Sequence, residues 1–261
     1  MLEEIKSLPP LPNSVVKIQE ICMSSDANID ELSRVIESDP MLSANILKSV
    51  NSPLYGMSKE ISSISQAIML FGISMIRGFA AASAIKKAVT VDLSPYGVSI
   101  DELTKISSLQ MALAREWYRH VDKSMLPLLQ SCAFLMELGK IVASLKIVGG
   151  GNTAVFLQET TTEQSDEAAE KRFLGMSSYE IAAHMFEHWN FDSALIEALK
   201  EITNQETHNP YAKALAVISQ TVNRYGTFSE EGMRKAFGLI EQFGLNKGAF
   251  EEAVITLKAI R

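Results

Sequence analysis

The amino-acid sequence predicts an all-α protein, and three observations carry that expectation. Apolar residues recur every three or four positions, and no stretch sustains the strict alternation of a half-buried strand. Cap-forming side chains stand just ahead of the periodic runs and are followed three residues later by Glu or Gln, as in Asn28 with Glu31, Ser63 with Gln66, Ser99 with Glu102 and Ser177 with Glu180. Glycine and proline fall mostly between the runs, where helices stop. No internal repeat is visible.

Taken in order, Asn13 or Ser14 opens a helix that carries Val15, Ile18 and Cys22 inward. Asn28 opens the next, continued by Leu32, Val35 and Ile36. That helix ends near Asp39, because a residue before proline avoids the helical region. Asp39 caps a third helix by accepting from first-turn N–H groups, and Pro40 suits its first position, where no N–H is needed. Leu42, Ile46 and Val50 give this helix a buried face. Asn51-Ser52-Pro53-Leu54-Tyr55-Gly56 breaks it. Ser63 opens another helix, lined by Ile64, Ile68 and Phe71, with Gly72 at its C-terminal cap. Ile73 to Ala88 is an alanine-rich helix that neighbours can approach closely, weakened by Gly78 by about 1 kcal/mol relative to alanine.

Val89 to Ser99, with Pro95 and Gly97, reads as a connection between two helical layers. The Ser99 helix runs to about His120. Leu126 to Leu145 is apolar on every side and reads as one central buried helix, terminated by Gly149-Gly150-Gly151. Gln130, Glu137 and Lys140 interrupt it and argue against membrane insertion. Thr160-Thr161-Thr162 through Glu170, polar and acidic, reads as a solvated loop and helix start. Gly175 stops one helix, Ser177 caps the next until about Trp189, and Asp192 to Asn204 is short. Helices over about 210–225, 230–243 and 247–260 complete the chain.

With 261 residues, 47% of them hydrophobic, the chain can bury one large domain or a domain and an extension. A net charge of −7 and a pI near 5.2 argue against a nucleic-acid surface, which needs clustered Lys and Arg. The short basic pair Lys86-Lys87 sits at a helix C-terminus, where positive charge suits the dipole. Cys22 and Cys132 form no CxxC motif, which implies reduced thiols in a cytosolic protein. The N-terminus lacks the basic flank and apolar run of a signal peptide, and no apolar segment reaches the roughly 18 residues of a membrane span. A cytoplasmic protein without membrane insertion is expected. The methionines, Met23, Met41, Met57, Met69 and Met75 among them, read as core filling in preference to a soft binding surface.

Several spaced motifs agree in order with one family. Leu8-Pro9-Pro10-Leu11-Pro12, Ile36-Glu37-Ser38-Asp39-Pro40, Asn51-Ser52, Tyr55-Gly56, Ile61-Ser62-Ser63 and Ala67-Ile68 through Gly72 resemble the HDOD family over residues 6–204. These are bacterial output domains related to the HD phosphohydrolases but usually lacking their metal ligands. The resemblance implies an N-terminal helical bundle, about 6–90, packed on a degenerate HD-like bundle, about 100–204. A C-terminal helical extension, 205–261, follows.

An HD phosphohydrolase needs a His on one helix, a His-Asp pair on another and further ligands downstream, so that metal ions can activate water and hold phosphate. Ala133-Phe134-Leu135-Met136-Glu137-Leu138-Gly139-Lys140 resembles the His-Asp helix and keeps the Leu-Gly-Lys frame, but Met136 and Glu137 occupy the paired positions. A thioether is a poor ligand for hard or borderline metals. Ser107 or Ser108 falls at the first His, Ser178 at a later one, and Glu201-Ile202 where paired histidines are frequent. No Gly-Tyr-Pro follows. The resemblance therefore implies no catalytic, cofactor or metal site.

His184-Met185-Phe186-Glu187-His188 matches the H-x-x-E-H pattern of inverted zincins and puts two histidines on one helical face. That chemistry needs a third protein ligand and a mixed α/β scaffold. Ile181, Met185 and Trp189 define the core stripe, which leaves the histidines at its edge. His120 and His208 read as ordinary surface histidines. No G-x-S-x-G elbow and no phosphate-binding glycine loop is present.

The expected function is a non-catalytic signal-transduction module that binds a protein in trans, or a small ligand in the vacated site. The alternative is a metal-dependent phosphohydrolase that recruits Glu137, His184 and His188. Asp39, Pro40, Asn51, Ser52, Tyr55 and Gly56 are the family-motif candidates for interaction, with Asp39 and Asn51 assigned structural jobs and Tyr55 expected to be partly exposed.

Overall fold

Capping side chains set many of the helix starts, as the sequence requires. The computed structural model describes residues 1–24, 27–55, 57, 59–88 and 91–260. It resolves into two compact units, Pro9–Thr90 and a larger one made of Met1–Leu8 with Val91–Ala259. The larger unit begins with a short helix, α1 (Leu2–Lys6), that the sequence did not announce.

In the unit Pro9–Thr90, α2 (Asn13–Met23), α3 (Ile29–Glu37), α4 (Pro40–Val50), α5 (Ile64–Phe71) and α6 (Ile73–Ala88) form the bundle. Asn28 accepts from the Asp30 N–H, and Asp39 Oδ1 accepts from the Leu42 N–H at 3.0 Å with Pro40 at the first helical position. Ser63 caps α5, while the returning bond of Gln66 goes to the N–H of Ser62. Gly72 holds φ at +80°, a left-handed value that favours glycine, and α5 and α6 meet there at 119°. Val15, Ile18, Leu32, Ile36, Leu42, Ile46, Val50, Ile64 and Ile68 are all buried. Ala80, Ala81 and Ala84 of α6 are buried too, and α6 packs directly on α2, α4 and α5. Removing a fully buried Ile from such a core costs about 2–5 kcal/mol when cut to alanine.

The larger unit continues with α7 (Ile100–Tyr118), α8 (Leu126–Leu135), α9 (Gly139–Gly149), α10 (Thr153–Glu163), α11 (Glu167–Leu174), α12 (Ser178–His188) and α13 (Ser193–Lys200). Then come α14 (Pro210–Thr221), β1 (Val222–Asn223), β2 (Gly226–Thr227), α15 (Glu230–Phe243) and α16 (Lys247–Ile260). Full capping boxes start α7 at Ser99/Glu102 and α12 at Ser177/Glu180. The C-terminal helices extend the same unit: α14 lies on α7, α8 and α15, and Trp117 of α7 meets Phe250 of α16 edge-on at 5.0 Å.

Three local expectations are corrected. The predicted continuous helix 126–145 is two helices, α8 and α9, separated by a 3-10 turn at Met136–Leu138. The break falls beside the point where α12 crosses α9 at backbone distance. The threonine tract is helical as far as Glu163, and within it the Thr160, Thr161 and Thr162 hydroxyls donate back to the carbonyls of Phe156, Leu157 and Gln158. The predicted helix 210–225 ends at Thr221, where a two-residue antiparallel hairpin pairs Val222 with Thr227 and Asn223 with Gly226. That hairpin is too small to alter the all-α class. Among the described residues, no single helix is long and apolar enough to cross a membrane.

Candidate functional site

Glu137 sits in the 3-10 turn between α8 and α9, only 3% exposed, and Lys140 follows one turn later at 4%. Their ion pair measures 2.6 Å. Gln110, fully buried on α7, donates Nε2 to Glu137 Oε1 at 2.7 Å and to the Val222 carbonyl at 2.8 Å. Both carboxylate oxygens of Glu137 are therefore taken. Lys140 Nζ also stands 3.5 Å from Ser178 Oγ and 3.5 Å from Asp166 Oδ2. The rings of Tyr96 and Tyr179 face it at 5.6 and 5.3 Å.

A second half of the network is built from the hairpin and the start of α11. Arg224 pairs with Asp166 Oδ1 at 2.8 Å and donates to the Tyr96 carbonyl at 2.6 Å. The Tyr225 hydroxyl donates to Asp166 Oδ1 at 2.6 Å. Glu170 accepts from the Tyr96 hydroxyl at 2.8 Å and from the Ser178 N–H at 2.7 Å, which puts a carboxylate on the N-terminus of α12. Residues 161–164 of the acidic tract are exposed, as the solvated reading expects, whereas Glu170 at its end is buried.

These groups line a pocket of about 70 Å³ whose wall includes Glu137, Lys140, Asp166, Glu170, Ser178 and Arg224. The electrostatics hold the charges in place. Burial works to lower the Lys140 pKa, but Glu137 and the neighbouring acidic groups outweigh it and hold the ammonium well above its ordinary value. Burial pushes the Glu170 carboxyl upward, with Lys140 opposing and Asp166 adding to the rise. Burial likewise raises the Tyr96 and Tyr179 phenols.

The residues do not fit the metal centre of an HD phosphohydrolase. Glu137 offers no uncommitted oxygen, and the adjacent ammonium would repel a dication. Met136 is fully buried in the core. Gln110 of α7, one turn beyond the expected Ser107, is the residue that reaches Glu137. Ser178 does reach the cluster, through a neutral hydroxyl. Glu201 lies elsewhere, with its carboxylate accepting from the Thr207 hydroxyl. Among the described residues, no three His, Cys, Asp or Glu side chains gather in a metal-holding arrangement.

The polar residues of the H-x-x-E-H motif, His184, Glu187 and His188, lie on the outer side of α12. His184 Nδ1 stands 3.0 Å from Glu187 Oε2, His188 is exposed, and Ile181, Met185 and Trp189 face inward. Glu137 has Gln110 and Lys140 as its partners, so the alternative ligand set is not assembled.

In the other unit, Asn51 clamps the turn by donating Nδ2 to the Leu47 and Ile61 carbonyls and accepting from the Ile61 N–H, at 2.8–2.9 Å. The Ser52 carbonyl accepts from the Tyr55 N–H, and Pro40 is exposed. Tyr55 is 4% exposed and packs edge-on against Phe71 at 5.0 Å, which corrects the expectation of partial exposure. Gly56 lies outside the described residues, as does the Met23 side chain. Met75 is buried as core, but Met41 at 65% and Met69 at 68% are exposed with Met57, a correction to their expected core role.

Gln110, Asp166, Arg224 and the three tyrosines were not singled out by sequence reasoning. Gln110 left a trace, as a polar residue inside an otherwise apolar stretch of α7. Arg224 and Asp166 left none, because the fold joins them across 58 residues.

Comparison with known proteins agrees with this architecture. A virulence factor of Campylobacter jejuni is 26% identical, with TM-score 0.58, covering 100% of this chain and 98% of that one. A candidate phosphohydrolase of Shewanella amazonensis is 21% identical with TM-score 0.68, covering 100% and 97%. A candidate signal transduction protein of Marinobacter aquaeolei is 21% identical with TM-score 0.70, covering 98% of this chain and 58% of that one. An uncharacterized protein of Treponema pallidum is 31% identical over 71 residues, a match spanning 27% of this chain and 14% of that protein's length. The model of the HDOD domain matches residues 8–205, and the chain belongs to the HDOD family.

Proposed function

We propose that this chain is a non-catalytic regulatory module of bacterial signal transduction that acts by binding a protein in trans. The observation that supports it is the Glu137–Lys140 pair at 2.6 Å, which places a permanent cation against the carboxylate at the expected metal-ligand position. A carboxylate already paired with an ammonium is a poor ligand for a metal ion that would activate water. A pocket of about 70 Å³ is also small beside the roughly 300–1,000 Å³ of drug-sized ligand sites, which favours a protein partner over a small ligand. The exposed Met41, Met57 and Met69 supply soft, adaptable apolar contacts of the kind that suits protein recognition. A net charge of −7 disfavours nucleic acid as that partner.

The test is turnover of cyclic dinucleotides and nucleotides by the purified chain with Mn²⁺ or Fe²⁺. The expected result is no hydrolysis above that of Glu137→Ala, and no stoichiometric metal in protein purified without an affinity tag. Hydrolysis that disappears in Glu137→Ala would overturn the proposal in favour of an unusual phosphohydrolase.

A further inference from the structure

The β1–β2 hairpin is anchored at its base and tied down at its tip. Val222 and Phe228 are buried, whereas residues 223–227 between them are only half-buried. Arg224 at the tip reaches the connection between α10 and α11, where its Nε donates to Asp166 Oδ1 at 2.8 Å. Its guanidinium also donates to the Tyr96 carbonyl and lies 4.3 Å from the Tyr225 ring. The Tyr225 hydroxyl stands 2.6 Å from the same Asp166 oxygen. The space behind these contacts is not filled. Asn223, Arg224 and Tyr225 line the pocket of about 70 Å³ together with Glu137, Lys140 and Ser178. Two side-chain-bearing residues take left-handed backbone beside the contact, a conformation they disfavour. They are Gln164 at φ +46°, two residues before Asp166, and Phe228 at φ +55°, at the hairpin base. A two-stranded hairpin is marginal by itself, so the tip is held by what it touches.

We infer that the Arg224–Tyr225 tip is a hinged lid, latched shut by Asp166, whose opening uncovers the pocket groups Glu137, Lys140 and Ser178. Val222 and Phe228 stay in the core as the hinge points, and the bonds given up are the polar ones at the tip. Opening adds the volume of two long side chains to a pocket that is small when shut. The lid belongs to the C-terminal part of the chain, since the family match ends at residue 205. The inference goes beyond the non-catalytic reading and does not depend on it, because a lid serves a binding site as well as a catalytic one.

The experiment is thiol labelling of the full chain carrying Cys22→Ser and Ser178→Cys. Ser178 is fully buried and lines the pocket, while the native Cys132 is fully buried in α8 and reports global unfolding. The reagent is DTNB, an aromatic disulfide too large for the closed pocket. The thiol at position 178 is expected to react about tenfold faster than Cys132 or more, as a local opening does. Its rate should depend less on urea, because a lid exposes less surface than unfolding. Adding Arg224→Gln should speed it by about tenfold, the factor that a charge-assisted hydrogen bond supplies. Reaction at position 178 only in step with Cys132, or a rate that Arg224→Gln leaves unchanged, would overturn the inference. Where these variants do not fold, hydrogen exchange of the unmodified chain decides. The Ser178 N–H, bonded to Glu170 inside the pocket, should exchange with a weaker urea dependence than the amides of α9. Equal dependence refutes the lid.

Discussion

Gly139 lies directly against the Ser178 carbonyl: a Cβ at position 139 would stand 1.8 Å from that oxygen and 2.8 Å from the Ala182 nitrogen. The obstacle is helix backbone, which cannot swing aside as a side chain can. The glycine of the Leu-Gly-Lys frame is therefore a close-approach residue, and the approach keeps Lys140 and Ser178 within reach of each other. Gly139→Ala should destabilise the chain by about 3 kcal/mol, at the upper end of overpacking costs. Chemical denaturation checks this, and a midpoint equal to wild type would show that α9 and α12 are not held this closely.

The Glu137–Lys140 pair should behave as a coupled buried pair. Lys140→Met leaves Glu137 charged in a dry site and should cost about 3–5 kcal/mol. Glu137→Met/Lys140→Met removes both charges and should recover most of the loss. A double-mutant cycle by urea unfolding should then give a coupling energy of about 3 kcal/mol or more. A coupling near zero would mean that the two groups do not stabilise one another.

Acid titration should report on Glu170. Burial raises its folded-state pKa above the ordinary carboxyl value, so the folded chain binds a proton more tightly there than the unfolded chain. Linkage then makes its contribution to stability full below the unfolded pKa, and lost as pH rises through the folded one. The Tm difference between wild type and Glu170→Gln should shift against the wild type as pH rises from about 4.5 toward neutrality. A difference that is flat over that range, or of opposite slope, refutes the assignment.

Asn51 should act as a clamp in its own unit. Asn51→Ala removes three hydrogen bonds to Leu47 and Ile61 and should cost about 2 kcal/mol. Asn51→Asp keeps the acceptor for the Ile61 N–H but loses both donors, so it should not rescue the loss at neutral pH. Urea midpoints of the two variants decide the point.

Much of the fold was legible because its rules are local. Asp39 with Pro40, Ser99 with Glu102 and Ser177 with Glu180 declare helix starts through groups within three residues of one another. The burial of Leu42, Ile46 and Val50 follows from spacing alone. The misreadings share one cause. The Thr160–Glu170 tract looked solvated by composition, yet Thr160 and Glu170 are buried because neighbouring elements cover them. Tyr55 looked like a contact residue, yet Phe71 stacks edge-on against it.

By itself the sequence determined the helical class, the capped starts and the family. The charged network beside Met136 was decided by the tertiary structure. Gln110, Glu137, Lys140, Asp166, Ser178 and Arg224 acquire meaning only as one network, because a buried charge is tolerable only beside its partners and those partners come from distant helices.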